Sequence, residues 1–192
     1  MFKPLQALYQ EHESIAAVLH ALKYLAQDVG RGKDVDVRVF KQILYYLDVF
    51  PERFHHPKED ELLFKRVRQR SVAAAAMIDK LESQHARGAE SIRQLEQALL
   101  RWETGGLSER DAFVLAATEF VARYREHMRA EEDDLMPLAR QALTPQDWSE
   151  IEAGFAQHVD PLHGAGEDTD PTKLFQRILH LAPPPIGLGK PM

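Results

Sequence analysis

The chain contains no cysteine, and its longest uninterrupted apolar run, Val72 to Ile78, is short. Without thiols there are no disulfides, no thiolate metal sites and no cysteine nucleophile, so any metal must be held by nitrogen and oxygen. That donor set favours iron, manganese or zinc. The apolar run is far below the roughly 20 residues that cross a bilayer, and the N-terminal MFKPLQALYQEHE lacks the long apolar stretch of a secretory signal. The expectation is a cytoplasmic protein with no membrane partner. Positive charge is also scarce, with 24 Lys and Arg against 30 Asp and Glu and a net charge of -6. Phosphate contacts would need a basic stripe, and its absence argues against a nucleic-acid partner. At 192 residues the chain is expected to fold around a single core.

What the chain does have is polar residues in apolar company. His12, His55 with Glu59, His85, and His127 with Glu131 fall on four separate apolar stripes, within the fragments FHHPKEDELLF and REHMRAEEDDLMP for the two pairs. Each pair is spaced i, i+4, which places imidazole and carboxylate on one helix face. The first stripe runs from about Pro4 to Gln27 through Leu5, Leu8, Ile15, Leu19, Leu22 and Ala26, with His12 in its one vacant position. A break at Gly30 to Asp34 precedes the second, which starts at Phe40, Leu44 and Leu47 and continues through His55, Glu59 and Leu62. Pro51 and Pro57 should kink or interrupt it. The third starts near Ser71, carries Ile78, Leu81, His85, Gly88, Ile92, Leu95, Leu99 and Trp102, and stops at Gly105 and Gly106. Ser108 with Asp111 reads as the cap of the fourth, with Phe113, Ala117, Phe120, Tyr124, His127, Glu131 and Leu138 inward.

These stripes predict an all-α fold: an antiparallel up-down four-helix bundle over residues 1–142, with a C-terminal extension over 143–192. In the extension, Thr144, Pro145 and Asp147 signal one short helix with Trp148, Ile151 and Phe155, and Pro171 begins another that runs through Leu181. The tail APPPIGLGKPM should be extended and mobile. The helix bearing Trp148 and Phe155 would cover an apolar face of the bundle or of a second subunit in a homodimer.

Depth along the bundle can be counted from the turns. With turn centres near 32, 70 and 106, His12 and His55 lie about 20 and 23 residues from the first, roughly 30 to 35 Å along a helix. His55 and His85 flank the second turn, and His85 and His127 the third, at closely matched separations. All four histidines therefore reach one level, with Glu59 and Glu131 one turn away in a common direction. A single histidine on an apolar stripe is more often a hydrogen-bonded core residue, and a single His and Glu pair is commonly a surface pair. Four histidines at one depth are different: six such side chains gathered in the core would cost several kcal/mol without partners, and a multivalent cation satisfies them together.

The ordered pattern H, HxxxE, H, HxxxE, with LLF and DLMP after the two pairs, resembles the hemerythrin family, specifically the bacterial hemerythrin-like HHE cation-binding domains, over about Leu5 to Arg140. The resemblance implies two Fe ions in an oxo- or hydroxo-bridged di-iron centre, with Glu59 and Glu131 bridging and His12, His55, His85 and His127 as terminal ligands. Oxygen-carrying members have a second histidine four residues after the third-helix ligand, where this chain has Ala89, and an aspartate where it has Glu131. His56 is the candidate for the missing ligand if Pro57 twists the segment; the alternative is a solvent-facing neighbour. Asp60, Glu61, Glu132, Asp133 and Asp134 read as solvated carboxylates or supports for the ligands. Tyr124 reads as a packed core residue with a satisfied hydroxyl, the alternative being a hydrogen bond to a metal-bound ligand, and His20, His158, His163 and His180 read as ordinary, with His158 and His163 placed over a bundle end as a further option.

Three functions fit these residues. The first is a non-haem di-iron protein that binds dioxygen, nitric oxide or peroxide at an open iron site for sensing, scavenging or iron handling. The second is a di-iron oxidase, peroxidase or ferroxidase, although such bundles use Glu-x-x-His with carboxylates in the majority. The third is a structural metal-binding or metal-free interaction bundle. Zinc prefers four tetrahedral ligands, so six or seven candidates suit it poorly.

Overall fold

The computed structural model describes residues 2–157 and 171–189, so His158 and His163 lie outside the described residues. Within them every regular element is helical. The first rod of the bundle is α1 (Lys3–Gly30). The second runs through α2 (Val37–Leu47), a π-helical segment (Asp48–His55), α3 (His56–Lys58), another π-helical segment (Glu59–Phe64) and α4 (Lys65–Arg70). A 3-10 turn (Val72–Ala74) leads to the third rod, α5 (Ala75–His85) followed by α6 (Gly88–Gly105). The fourth is α7 (Leu107–Arg129), a π-helical segment (Ala130–Leu135) and α8 (Met136–Ala142). Helices α1 and α6 pack along α7, and α2 packs along α6 and α1, which gives the expected up-down bundle.

Local signals set the rod ends. Pro4 lies in the first turn of α1, where its missing N–H costs nothing. Gly32, at φ +83°, reverses the chain, and the Asp36 carboxylate then accepts the Arg38 N–H at 2.9 Å to cap α2. The last turn is made by Gly106, at φ +89°, which itself caps α7; Ser108 makes no side-chain cap, so the expected start is two residues late. The third rod also departs from expectation. It breaks at Ala86 and Arg87, directly after His85, and Gly88 opens a new helix where the stripe had suggested a continuous one.

Pro51 and Pro57 do not interrupt the second rod. The backbone widens instead: the His56 N–H bonds to the Pro51 carbonyl, five residues back, and Pro57 falls in the first turn of α3. A π-helical turn absorbs an extra residue, so the carbonyl that Pro51 leaves unserved is passed by without ending the helix.

Polar residues divide the interior into two apolar clusters. One includes Ile15, Leu19, Phe40, Ile43, Ile92, Leu99, Phe113 and Phe120; the other includes Leu5, Leu8, Leu63, Phe64, Ile78, Leu81, Leu135 and Met136. On each rod the histidine falls between the two groups. Fully burying a side chain such as Phe40 or Phe113 stabilises the fold by roughly 2–3 kcal/mol, and this apolar packing brackets the polar layer from both ends.

The extension covers the bundle's own apolar faces. Helix α9 (Pro145–Gln157) packs on α1 and the Glu59–Phe64 segment, where Trp148 stacks on Phe2 at 4.2 Å between ring centroids. Helix α10 (Pro171–Leu181) packs on α2 and adds Leu174 and Ile178 to the first cluster. Over residues 182–189 the tail is not extended, because the Leu188 N–H returns to the Leu179 carbonyl at 2.7 Å and the Gly189 N–H to that of Ala182 at 2.8 Å. Gly187 permits this reversal, since a Cβ there would lie 2.2 Å from the Leu179 carbonyl oxygen.

Asp147 fastens α9 to the bundle. Its carboxylate accepts the Thr144 N–H at 2.9 Å and a two-pronged contact from Arg70 at 2.9 and 3.0 Å, while the Asp147 N–H donates to Thr144 Oγ1. The Arg70 guanidinium leads the interactions that hold this carboxyl well below the usual range. A depressed value contributes stability above the ordinary aspartate pKa of about 4 and loses it as pH falls below that. Asp147→Asn should therefore cost about 1–2 kcal/mol, or about 5 °C in melting temperature, at neutral pH. Thermal melts at a series of pH values should show that difference constant above about pH 5 and shrinking below about pH 4.

Candidate metal centre

The π-helical segments place the key side chains. Because they wrap more residues into a turn than an α-helix does, neighbouring side chains diverge less, and both His55 and His56 point inward, at 1 % and 5 % exposed. The fourth rod repeats the device at Glu131, where the Met136 N–H bonds five residues back to the Glu131 carbonyl. His12 on α1 and His85 at the end of α5 complete the layer from regular helices.

The nitrogens meet in pairs. His12 Nε2 lies 3.1 Å from His55 Nε2, and His85 Nε2 lies 3.0 Å from His127 Nε2. The Glu131 carboxylate spans the pairs, with Oε2 3.4 Å from His12 Nε2 and Oε1 3.1 Å from His127 Nε2 and 3.4 Å from His85 Nε2. Glu59 does the same, with Oε2 3.4 Å from His55 Nε2 and 3.7 Å from His85 Nε2, and Oε1 3.8 Å from His12 Nε2. Neither carboxylate is exposed, and none of their four oxygens makes a hydrogen bond.

Each of these imidazoles is held by its other nitrogen. His12 Nδ1 donates to Glu132 at 2.7 Å, His55 Nδ1 to Glu11 at 2.7 Å, His85 Nδ1 to Asp60 at 2.8 Å and His127 Nδ1 to the Gln84 amide oxygen at 2.9 Å. An acceptor at Nδ1 keeps the proton there and leaves the Nε2 lone pair facing the layer. The four links form a closed circuit: each rod gives an acceptor to the histidine of the next, from first to second, second to third, third to fourth and fourth back to first. Glu11 is further tied to Lys58, a buried cation whose Nζ lies 4.0 Å above the Phe54 ring.

Two ring nitrogens about 3 Å apart need a proton or a cation between them. Two nitrogens at right angles around a first-row metal, each about 2.1 Å from it, are about 3 Å apart, so both pairs have the separation of neighbouring ligands on a shared ion. The oxygens on Glu59 and Glu131 are equally unsatisfied, and buried polar atoms without partners are rare in native proteins. The residues therefore group into sets that could hold metal: His12, His55 and Glu59; Glu59, His85 and Glu131; and His56, His85 and His127.

Protonation tells the same story. Burial, and then the neighbouring Glu131, push the Glu59 carboxyl well above the usual range. Burial acts the same way on Glu131, but His127, His85 and His12 outweigh it and hold that carboxyl well below. The two carboxylates cannot both ionise without added positive charge. Burial lowers His55 to about 4 despite Glu11, whereas the hydrogen bond to Asp60 and the nearby Glu131 carboxylate overcome burial at His85 and raise it to about 9.

His56 faces inward like the other four but is held differently. Its ring is parallel to that of His85, with centroids 4.0 Å apart, and its Nε2 is hydrogen-bonded to the Tyr124 hydroxyl at 3.0 Å. The Tyr124 hydroxyl is thus satisfied, as expected from the sequence. Asp60 and Glu132 support histidines, while Glu61, Asp133 and Asp134 are exposed. Glu11, Gln84, Lys58 and Glu52 were not singled out from the sequence. One signal could have found two of them, since Glu11 and Gln84 immediately precede His12 and His85 just as Asp60 and Glu132 immediately follow Glu59 and Glu131.

A cavity of about 540 Å³ runs from the gap between the third and fourth rods to His56, His85 and His127, lined on the way by Glu52, Gln84, Gly88 and Tyr124. It reaches the layer on the side of the His85 and His127 pair. The fold and this site define a helical cation-binding bundle. The chain matches the hemerythrin HHE cation binding domain over residues 3–139 and belongs to that family. That span takes in all four rods and leaves out α9 and α10. No curated protein matches the chain.

Proposed function

We propose that the chain holds two iron ions in the polar layer and binds a small ligand, dioxygen, nitric oxide or peroxide, at an open position on one of them. The reading rests above all on two buried carboxylates without hydrogen bonds, Glu59 and Glu131, lying between two pairs of imidazole nitrogens. In it, His12 and His55 would hold one ion, His85 and His127 with His56 beside them would hold the other, and Glu59 and Glu131 would supply carboxylate oxygens to both. Iron so held supplies a redox-active Lewis acid to a molecule arriving through the cavity. The chain's own groups do the rest: Glu132, Glu11, Asp60 and Gln84 orient the imidazoles, and the two apolar clusters exclude bulk water from the layer. Five nitrogens against two carboxylates favour ligand binding over the carboxylate-rich arrangement of oxidase bundles. The service performed, whether sensing, scavenging or iron handling, follows from which ligand is held.

Anaerobic titration with ferrous iron should saturate near two ions per chain. Exposure to oxygen should then produce a near-ultraviolet charge-transfer band that bleaches on reduction, and nitric oxide should give its own spectrum. Saturation at one ion, or a colourless zinc protein, would defeat the reading. His56→Ala should weaken one of the two ions about 10-fold to 100-fold and leave the other. Unchanged iron affinity and spectrum in that variant would remove His56 from the ligands.

A further inference from the structure

The polar layer is largely buried. None of His12, His55, Glu59, His85, His127 and Glu131 is more than 8 % exposed, and apolar clusters cap the layer at both ends. A hydrated cation must still reach it, and the cavity of about 540 Å³ ends at His56, His85 and His127.

The wall of that cavity carries a carboxylate that the centre does not use. The Glu52 side chain is 7 % exposed; its Oε1 is buried with no hydrogen-bond partner, and its Oε2 lies 3.4 Å from His56 Nδ1, which also has none. Glu52 is therefore not the acceptor that fixes the His56 ring, a role filled at the other nitrogen by Tyr124. Space has nevertheless been cleared for it. A Cβ on Gly88 would fall 1.9 Å from Glu52 Oε2, so the glycine that opens α6 is what lets the carboxylate rest against that helix. Glycine within a helix costs roughly 0.5–1 kcal/mol relative to alanine, and a buried polar group without a partner costs more. Among the described residues no hydrogen bond to Glu52 Oε1 offsets the second cost.

The mouth of the cavity carries both signs, Arg87 and Arg123 with Glu90 and Glu126, and does not itself favour cations. The selective group is deeper. We propose that Glu52 is the receiving ligand for incoming metal: its carboxylate and His56 Nδ1 replace water around a divalent cation inside the cavity and pass the ion to the buried donors. The step exchanges water for oxygen and nitrogen ligands and transfers no electrons. It rests on the metal-centre reading above, because it needs a destination for the cation.

The test is the rate of cobalt(II) uptake by the metal-free full-length chain, followed in a stopped-flow instrument by the ion's visible absorption. Glu52→Gln removes the charge without changing the shape, and Gly88→Ala displaces the carboxylate while keeping its charge. Both variants should take up cobalt about tenfold more slowly than the wild type, the scale on which a focused charge alters association, and reach the same final cobalt content. Glu96→Gln, at an exposed carboxylate on α6, should match the wild type. Unaltered uptake in Glu52→Gln would overturn the proposal. A lower final content in that variant would overturn it too, because Glu52 would then be a resident ligand. A wild-type chain that takes up no cobalt at all would instead overturn the metal-centre reading, a different and separately visible failure.

Discussion

Stripping the cations with a strong chelator should lower the melting temperature by about 15 °C. Four imidazoles and two carboxylates are buried together, and the oxygens on Glu59 and Glu131 have no hydrogen bonds to replace a lost ion. A ligand that binds the folded state alone stabilises it by about 4 kcal/mol at a thousandfold excess over its dissociation constant, and two ions exceed that. For a chain of this length each kcal/mol moves the midpoint by roughly 2–4 °C. The effect should depend on pH with a definite sign. Without metal, His85 keeps its proton up to about pH 9, and Glu59 keeps its own well above the usual carboxylate range. Cation binding must displace both, so apparent affinity should rise as pH increases toward about 9 and fall in acid. Calorimetry of the loaded and stripped protein across that range measures both quantities. Coincident melts at every pH would show that the layer is satisfied without ions.

If the layer holds two ions as proposed, Glu131→Gln should reduce the bound cation to fewer than one. Glu131 lies within 3.4 Å of ring nitrogens from the first, third and fourth rods, so its carboxylate touches the territory of both ions. The amide keeps the volume but offers neutral donor hydrogens to atoms that present lone pairs. On the proposed two-ion reading, loss of this charge would also leave the ions repelling each other across the layer, at a cost of several kcal/mol at close range. Metal analysis after desalting, together with a competitive titration, would read this as at least a 100-fold loss of affinity for both ions. A variant that retains one ion at native affinity would assign Glu131 to a single ion and not to a bridge.

The apolar stripes carried most of the fold in the sequence. Regular 3 and 4 spacing gave the four rods, and short turns brought His12, His55, His85 and His127 to one depth, because helix rise makes depth a matter of counting. The second rod was harder to read. Pro51 and Pro57 are breakers in an α-helix, and nothing local announces that the backbone will widen around them; yet that widening turns both His55 and His56 inward. The break after His85 was hidden because Gly88 fell in phase with the stripe, and its real partner, Glu52, is distant in sequence. Glu52 and Lys58 look like ordinary surface charges in a helical pattern; only the packing of neighbouring rods encloses them. Glu11 and Gln84 were overlooked because a residue beside the stripe is usually solvated, whereas here it faces the seam with the next rod.

The circuit of acceptors around the layer has a hand. Rods linked by short turns can be wound around a common axis in either of two mirror senses, and the apolar stripes alone fit both nearly as well. Inverting the winding exchanges the second and fourth rods as seen from the first. Glu11 would then look across at the fourth rod while His55 stood on the opposite flank, and the other three links would part in the same way. Four residues beside the buried histidines thus favour the observed winding over its mirror image.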